Sequence, residues 1–273
     1  MNFGVFVPNF GDYYDPRTLA ELAHEAEASG WDGFFIMDHM SLGRSDRFAD
    51  PWVALAAIAV HTERIRIGPM VTPLPRRRPW KLARETVSLD HLSNGRLILG
   101  VGSGSPRDTE FESFGEDGDL KVRARKLDEG LDVLTGLWSG EPFSYRGEHY
   151  RLEETVFLPK PVQSPRIPIW VAGTWPHKAP LRRAERWDGY FPERTTPTDI
   201  HAVVAHVDRY RPRGSVFDVA FGNRLRADQS AELADVVAAY AEAGLTWWMQ
   251  RLGPTFGTFG ESRARIQQGP PGP

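Results

Sequence analysis

Apolar residues recur along the chain in two alternating periods. Short runs that suit strands fall at Phe3–Val7, Phe34–Met37, Ile65–Val71, Leu97–Val101, Pro168–Ala172, Gly189–Phe191, Asp218–Phe221 and Thr246–Gln250. Between most of them lie stretches with apolar residues three and four apart, the spacing of one helix face. Leu19, Leu22, Ala23 and Ala26 mark the first such stretch, entered at Asp15-Pro16 and closed at Gly30. An aspartate that accepts from the first free N–H groups, then a proline whose fixed φ suits the first turn, is a helix start. Asp50-Pro51 repeats that signal before Trp52–Val60. Further helices are expected from Pro79 to Asn94-Gly95, over about 121–137, around His177–Arg186, near Asp199–Tyr210 and over Ser230–Ala243.

The rhythm breaks once, over about 139–166, where "YRGEHYRL" reads as a β-hairpin turning at Gly147. The closing "QQGPPGP" predicts a disordered tail over about 267–273. Strict strand–helix alternation implies parallel strands joined by right-handed crossovers. Eight such units suit a closed α/β barrel of the (β/α)8 type, a TIM barrel. It would be a single domain over 1–273, with the hairpin-containing insertion before strand five. An open doubly wound sheet is the alternative.

The stretch "GVGSGSPR" bears on that choice. A dinucleotide turn needs G-x-G-x-x-G/A opening directly into a helix. Read from Gly100, the third position is Ser105 and Pro106 follows; read from Gly102, it is Arg107. Neither register fits, and the turn follows a fourth strand rather than a first, which favours the barrel. In a barrel Gly102 and Gly104 would lie at the carboxyl ends of the strands, where sites form. A tight turn and a ligand approaching the backbone both remain open as explanations.

Composition narrows the chemistry. At 41% hydrophobic and 25% charged residues, the chain has the make-up of a soluble globular protein. The absence of cysteine removes disulfides, thiolate nucleophiles, iron–sulfur clusters and cysteine-type zinc sites, and fits a cytoplasmic location. No H-E-x-x-H or comparable spacing surrounds His39, so no metal is expected. A net charge of −3 gives no electrostatic case for nucleic acid or an anionic membrane. No apolar stretch approaches the ~20 residues of a membrane span. "MNFGVFVPNF" has no basic region followed by a long apolar run, so no signal peptide is expected.

Several segments together resemble the luciferase-like flavin-dependent oxidoreductases. They are "MDHM" (Met37–Met40), "IRIGPMVTPLPRRRPWKLARETVSLDHLSNGRLILGVGSG" (Ile65–Gly104), "TEFESFG" (Thr109–Gly115), "RGEHYRL" (Arg146–Leu152) and "IPIWVAGTWP" with "WDGYFP" (within Ile167–Pro192). The resemblance covers most of 1–192 in family order and implies a (β/α)8 barrel with an insertion. It also implies a flavin cofactor: reduced FMN with oxygen in monooxygenases, or coenzyme F420 for hydride transfer. The FMN case calls for a separate flavin reductase as partner, and a homodimer is left open. The substrate would be a small organic molecule. A non-flavin (β/α)8 isomerase or lyase and a non-catalytic flavin-binding protein are the competing classes.

By the same resemblance, Asp38-His39 ends strand two beside the reactive ring, with Asp38 binding cofactor and His39 as acid or base. A histidine that merely satisfies a loop backbone is the bland reading. Pro69, Met70 and Val71 would form a cis-peptide bulge supporting the ring. Gly102 would let the ring approach, Ser103 and Thr109 would meet its polar edge, and Glu110 would donate a proton. A solvated carboxylate at a helix start is the other reading of Glu110. Gly173 and Thr174, between a strand and a helix, would hold the cofactor phosphate, with Arg194 as counter-charge. Arg76-Arg77-Arg78 reads most simply as a solvated surface run, with an anion contact as the minority reading.

Overall fold

Aspartate followed by proline starts helices here as expected: Asp15 accepts from the Arg17 N–H, and Asp50 from those of Trp52 and Val53. The computed structural model describes residues 1–273 apart from 43–46, 106–108, 194, 213–214, 224–229 and 272–273. Its first half runs β1 (Asn2–Val7), α1 (Pro16–Ala28), β2 (Gly33–Ile36), α2 (Pro51–His61), β3 (Arg66–Pro69), β4 (Thr72–Pro73), α3 (Pro79–Leu92) and β5 (Leu99–Gly102). There follow α4 (Leu120–Trp138), β6 (Phe143–Arg146), β7 (Arg151–Thr155), β8 (Ile169–Thr174), α5 (Lys178–Ala184) and β9 (Gly189–Glu193). The chain ends with α6 (Pro197–Tyr210), β10 (Asp218–Gly222), α7 (Ser230–Glu242), β11 (Trp247–Arg251) and α8 (Phe259–Gln267).

The large sheet is parallel, in the order β3-β2-β1-β11-β10-β9-β8-β5-β4. Its two ends, β3 and β4, are pieces of one strand interrupted at the cis Met70–Val71 peptide. The sheet therefore returns on itself, and a bridge between Ile67 and Leu97 joins β3 to the approach of β5. This is the (β/α)8 barrel and not the open sheet. The third expected strand is divided in two, and the others lie within two residues of their expected bounds. Sequence periodicity did not reveal α8, whose capping box pairs Thr258 with Glu261.

Successive strand residues point to opposite faces, so each strand feeds two cores. Outward residues pack under the helices in one large cluster. Inward residues form a second cluster containing Phe35, Met70, Trp170, Phe191, Trp247 and Met249. Phe35 stacks on Trp170 with ring centroids 5.7 Å apart and meets Trp247 edge-on at 5.9 Å. Glycine makes room for these rings: a Cβ at Gly33 would lie 2.8 Å from the Trp247 ring. Nearer the carboxyl ends the inward side chains include Ala172 and Gly222, and the packed interior gives way to a cleft.

Between β5 and β8, β6 and β7 form the expected antiparallel hairpin outside the barrel. Glu129 of α4 accepts from the backbone N–H groups of Glu148, His149 and Tyr150 at 2.8–3.1 Å, which pins the hairpin tip. At the other end, Gly269 is buried and its carbonyl accepts from Arg265 at 2.5 Å. The tail expected to be disordered from about 267 is thus structured as far as Gly269, because α8 holds it. Among the described residues no helix is long and apolar enough to cross a membrane.

Candidate active site

The carboxyl ends of the strands enclose a cleft of about 770 Å³, mouth included. Met70, Val71 and Ala172 line one side of it, Phe6, Met37 and Phe191 add apolar wall, and His39, Ser105, Glu193 and Arg251 supply polar groups. An adjoining cleft of about 810 Å³, lined by Phe10, Leu252 and Phe256, shares Met37, His39 and Arg251 with the first. His39 therefore stands at the junction of two open spaces.

His39 is fixed from both sides. Asn9, buried at the end of β1, donates to the His39 carbonyl at 2.7 Å and accepts from the His39 N–H at 3.2 Å. On the other side, the His39 Nδ1 lies 3.2 Å from Oε2 of Glu110. That glutamate is fully enclosed, with 0% of its side chain exposed. Its Oε2 also accepts from Arg76 at 2.5 Å. Its Oε1 accepts from the backbone N–H of Ser41 at 2.7 Å and from that of Met40. Burial pushes the Glu110 carboxyl up, but the bonds from His39 and Ser41, the Arg76 charge and the Met40 N–H outweigh it and bring it down to about 2. Glu110 is thus a carboxylate surrounded by donors. A group that only accepts requires hydrogen on the facing ring nitrogen. His39 therefore carries hydrogen on Nδ1, and Nε2 is the acceptor of the neutral ring.

This corrects two expectations for Glu110. It is not a solvated carboxylate, and it does not suit the role of proton donor, because both oxygens are committed and it is held ionised. Asp38 likewise has its carboxylate inside the protein. Its carboxylate is buried and accepts from Thr72 Oγ1 at 2.8 Å, Arg76 at 3.0 Å and Arg77 at 2.8 Å, so although Asp38 borders the cleft its oxygens are spent inside the protein. The arginine run is solvated only at Arg78, which is exposed: the Arg76 side chain is 3% exposed and that of Arg77 18%.

The alternating glycines have separate causes. A Cβ on Gly100 would run into the Pro69 carbonyl, so that glycine lets β5 close against the end of β3. Gly102 also faces inward: its Cβ would lie 3.1 Å from Val71 and 3.7 Å from Ala172, two residues of the cleft lining. Gly104 has φ +82°, which favours glycine, and borders the cleft. The tight turn thus accounts for Gly104, while Gly102 stands against two residues of the cleft lining.

The remaining expected residues separate. Met70 and Val71 line the cleft and their peptide is cis, whereas Pro69 lies behind them with its carbonyl toward Gly100. Ser103 is half-buried and Thr109 exposed; neither is among the cleft residues, where Gly104 and Ser105 stand instead. Gly173 and Thr174 also fall outside that lining, and the space beside Gly173 is filled by Pro180 and the Tyr190 hydroxyl. Arg194 lies outside the described residues. Sequence reasoning missed Asn9, Arg76, Arg77 and Arg251 as site residues. Arg251 was legible: in "WWMQR", alternation turns Trp247, Met249 and Arg251 to one side, and the first two pack inside the barrel.

The profile of the luciferase-like monooxygenase family matches residues 1–268. The chain belongs to that family. Among curated relatives, the F420-dependent glucose-6-phosphate dehydrogenase of Amycolatopsis mediterranei (strain U-32) is 32% identical over 168 residues, 60% of this chain. The match spans half the length of that relative. Among solved structures, an F420-dependent secondary alcohol dehydrogenase in complex with an F420-acetone adduct superposes with a TM-score of 0.81. It is 16% identical, over 99% of this chain and 98% of that one. The oxygenating constituent of 3,6-diketocamphane monooxygenase from Pseudomonas putida, in complex with FMN, superposes with a TM-score of 0.66. It is 19% identical, over 83% of this chain and 67% of that one. At these identities the structures show the shared barrel. The family is one of oxidoreductases that act on small molecules, with F420-dependent and FMN-dependent members.

Proposed function

We propose that the protein is an oxidoreductase that binds the deazaflavin F420 in the cleft and acts on a small organic substrate, with His39 exchanging the proton that accompanies hydride movement. The observation that carries this reading is the His39–Glu110 pair at the edge of a cleft with one apolar side. The names of relatives such as the Amycolatopsis protein support F420 over FMN.

The cleft fits such a group. Met70, Val71 and Ala172 offer an apolar surface for a flat ring. The missing Cβ of Gly102 leaves Val71 in place, where a side chain would crowd it at 3.1 Å. Bound there, the deazaflavin would supply a two-electron hydride carrier. The protein's own part is positioning and proton handling. Asn9 fixes the backbone of His39, and Glu110 fixes its ring and tautomer, so that Nε2 takes or returns the proton. Glu110 also stabilises the imidazolium once formed, as an ionised carboxylate beside it does. The cleft bordered by Phe10, Leu252 and Phe256 is the place for an apolar part of the substrate, and Arg251, between the two spaces, meets whatever polar group it carries.

The test is titration of the purified protein with F420 and with FMN, followed by changes in cofactor fluorescence. The expected result is saturable binding of F420, much tighter than that of FMN, with binding retained in His39→Ala. Tighter FMN binding would replace the deazaflavin reading with the monooxygenase one, and binding of neither would overturn both.

A further inference from the structure

The tip of the β6–β7 hairpin gathers three side chains with metal-ligating atoms. Glu129 comes from α4, and Glu148 and His149 from the turn between the two strands. Among the described residues they form the one group of three His, Asp or Glu side chains whose ligand atoms all lie within 4.8 Å of one another. None of the three lines either cleft at the carboxyl ends of the strands.

Two observations set this group apart from a chance surface cluster. The first is the His149 ring. Its side chain is 13% exposed, and its Nε2 is buried without a hydrogen-bond partner. Glu148 Oε1 stands 3.7 Å from that nitrogen. This is too long for a hydrogen bond. It is close to the roughly 3.3 Å between two ligand atoms that each lie about 2.0–2.1 Å from one tetrahedral zinc. A buried nitrogen left unpaired is costly, and a metal ion would satisfy it.

The second observation is that both carboxylates are already held from behind. Glu129 accepts from the backbone N–H groups of Glu148, His149 and Tyr150, which turns it toward the hairpin tip. Gly147 permits that approach, because a Cβ there would run into Glu129 Oε2. Glu129 Oε1 takes the Glu148 N–H alone, and a carboxylate oxygen has a second lone pair to offer. Arg125 Nε lies 3.3 Å from Glu148 Oε2, while Oε1 of the same carboxylate faces His149. Such outer contacts orient the ligands of metal sites.

We propose that Glu129, Glu148 and His149 form a site for a divalent transition-metal ion, zinc by the nature of the donors, with water as the fourth ligand. An imidazole nitrogen beside carboxylate oxygens suits zinc, whereas calcium and magnesium take oxygen ligands. The two carboxylates balance the charge of the ion. Bound there, zinc joins the turn of the inserted hairpin to α4, adding to the contacts that Glu129 already makes with the turn backbone. The site does not depend on which cofactor the cleft holds.

The test is calorimetric titration of the full-length protein, stripped with EDTA and dialysed, with zinc chloride. Wild-type protein should bind one zinc per chain, and its melting temperature should rise with zinc, as it does for any ligand that binds only the folded state. His149→Gln and Glu148→Gln should each weaken binding by about tenfold or more, at least the loss that follows removal of a group behind a metal ligand. In nitrogen NMR of 15N-histidine protein, the His149 signals are assigned by their loss in His149→Gln. Zinc should move the His149 Nε2 signal and leave the other histidines in place. Without metal both variants should melt with the wild type. If His149→Gln melts lower, Glu148→Gln decides alone, since its side chain is 60% exposed. Absence of saturable zinc binding would overturn the proposal. So would wild-type affinity in both variants, with zinc moving histidines other than His149.

Discussion

Replacing Glu110 with glutamine should weaken the protein in a way that depends on pH with a definite sign. The folded-state carboxyl titrates at about 2, against an ordinary value of 4.5. At about 1.4 kcal/mol per pH unit, the ionised form contributes about 3 kcal/mol to stability near neutrality. For a depressed carboxyl, that contribution is complete above the unfolded-state value and disappears as pH falls through the folded-state value. Linkage gives about 3 kcal/mol near pH 6 and about 1.4 kcal/mol near pH 3. Glutamine loses this stabilisation and also turns an amide NH2 toward donors, a cost that does not vary with pH. Urea unfolding of both proteins at about pH 6, 4 and 3 should show their difference shrinking by about 2 kcal/mol. A difference that stays constant or grows on acidification would refute the picture of Glu110 as a buried, donor-saturated carboxylate.

Three further outcomes follow from the same geometry. Gly102→Val should weaken F420 binding by tenfold or more at a small cost in melting temperature, since the new side chain crowds Val71 in the cleft wall; lower melting with unchanged affinity would make Gly102 purely structural. His39→Ala should reduce turnover by roughly 10²–10⁴ while cofactor still binds, the usual contribution of a positioned acid–base group; wild-type turnover would remove His39 from the chemistry. Arg96→Met should cost about 3 kcal/mol in urea unfolding, because the buried guanidinium satisfies the carbonyls of Ala59, Thr62, Ile65 and Ser93 behind α2 and α3; a change below about 1 kcal/mol would contradict that accounting.

The barrel was readable because its signal is local and repeated. Each strand run and each Asp-Pro start encodes its own element, and eight of them in alternation leave few topologies. α8 escaped because its stretch is polar and only Thr258 and Glu261 announce it. His39, Met70 and Val71, which border the cleft, were expected through the family resemblance; strand position alone showed only an apolar strand end at 69–71. Arg76 and Arg77 were misread because a run of like charges says nothing of its partners: Asp38 and Glu110 lie 34–39 positions away in sequence. Gly173 illustrates the opposite error. A glycine between strand and helix suggests space for an anion, but here the helix itself, through Pro180, uses that space.

The three aromatic rings beneath the cleft give the molecule a built-in optical probe. Trp170 lies two residues before Ala172 on β8, and Trp247 four residues before Arg251 on β11, so both indoles sit directly under the surface on which a flat ligand would rest. Ring–ring distances of 5.3–5.9 Å couple them to one another and to Phe35. A yellow chromophore settling above them would drain their excited state, and ultraviolet emission would fall in proportion to occupancy. Binding at this end of the barrel can thus be followed without label or turnover, as the loss of the share of emission that these two of the nine tryptophans contribute.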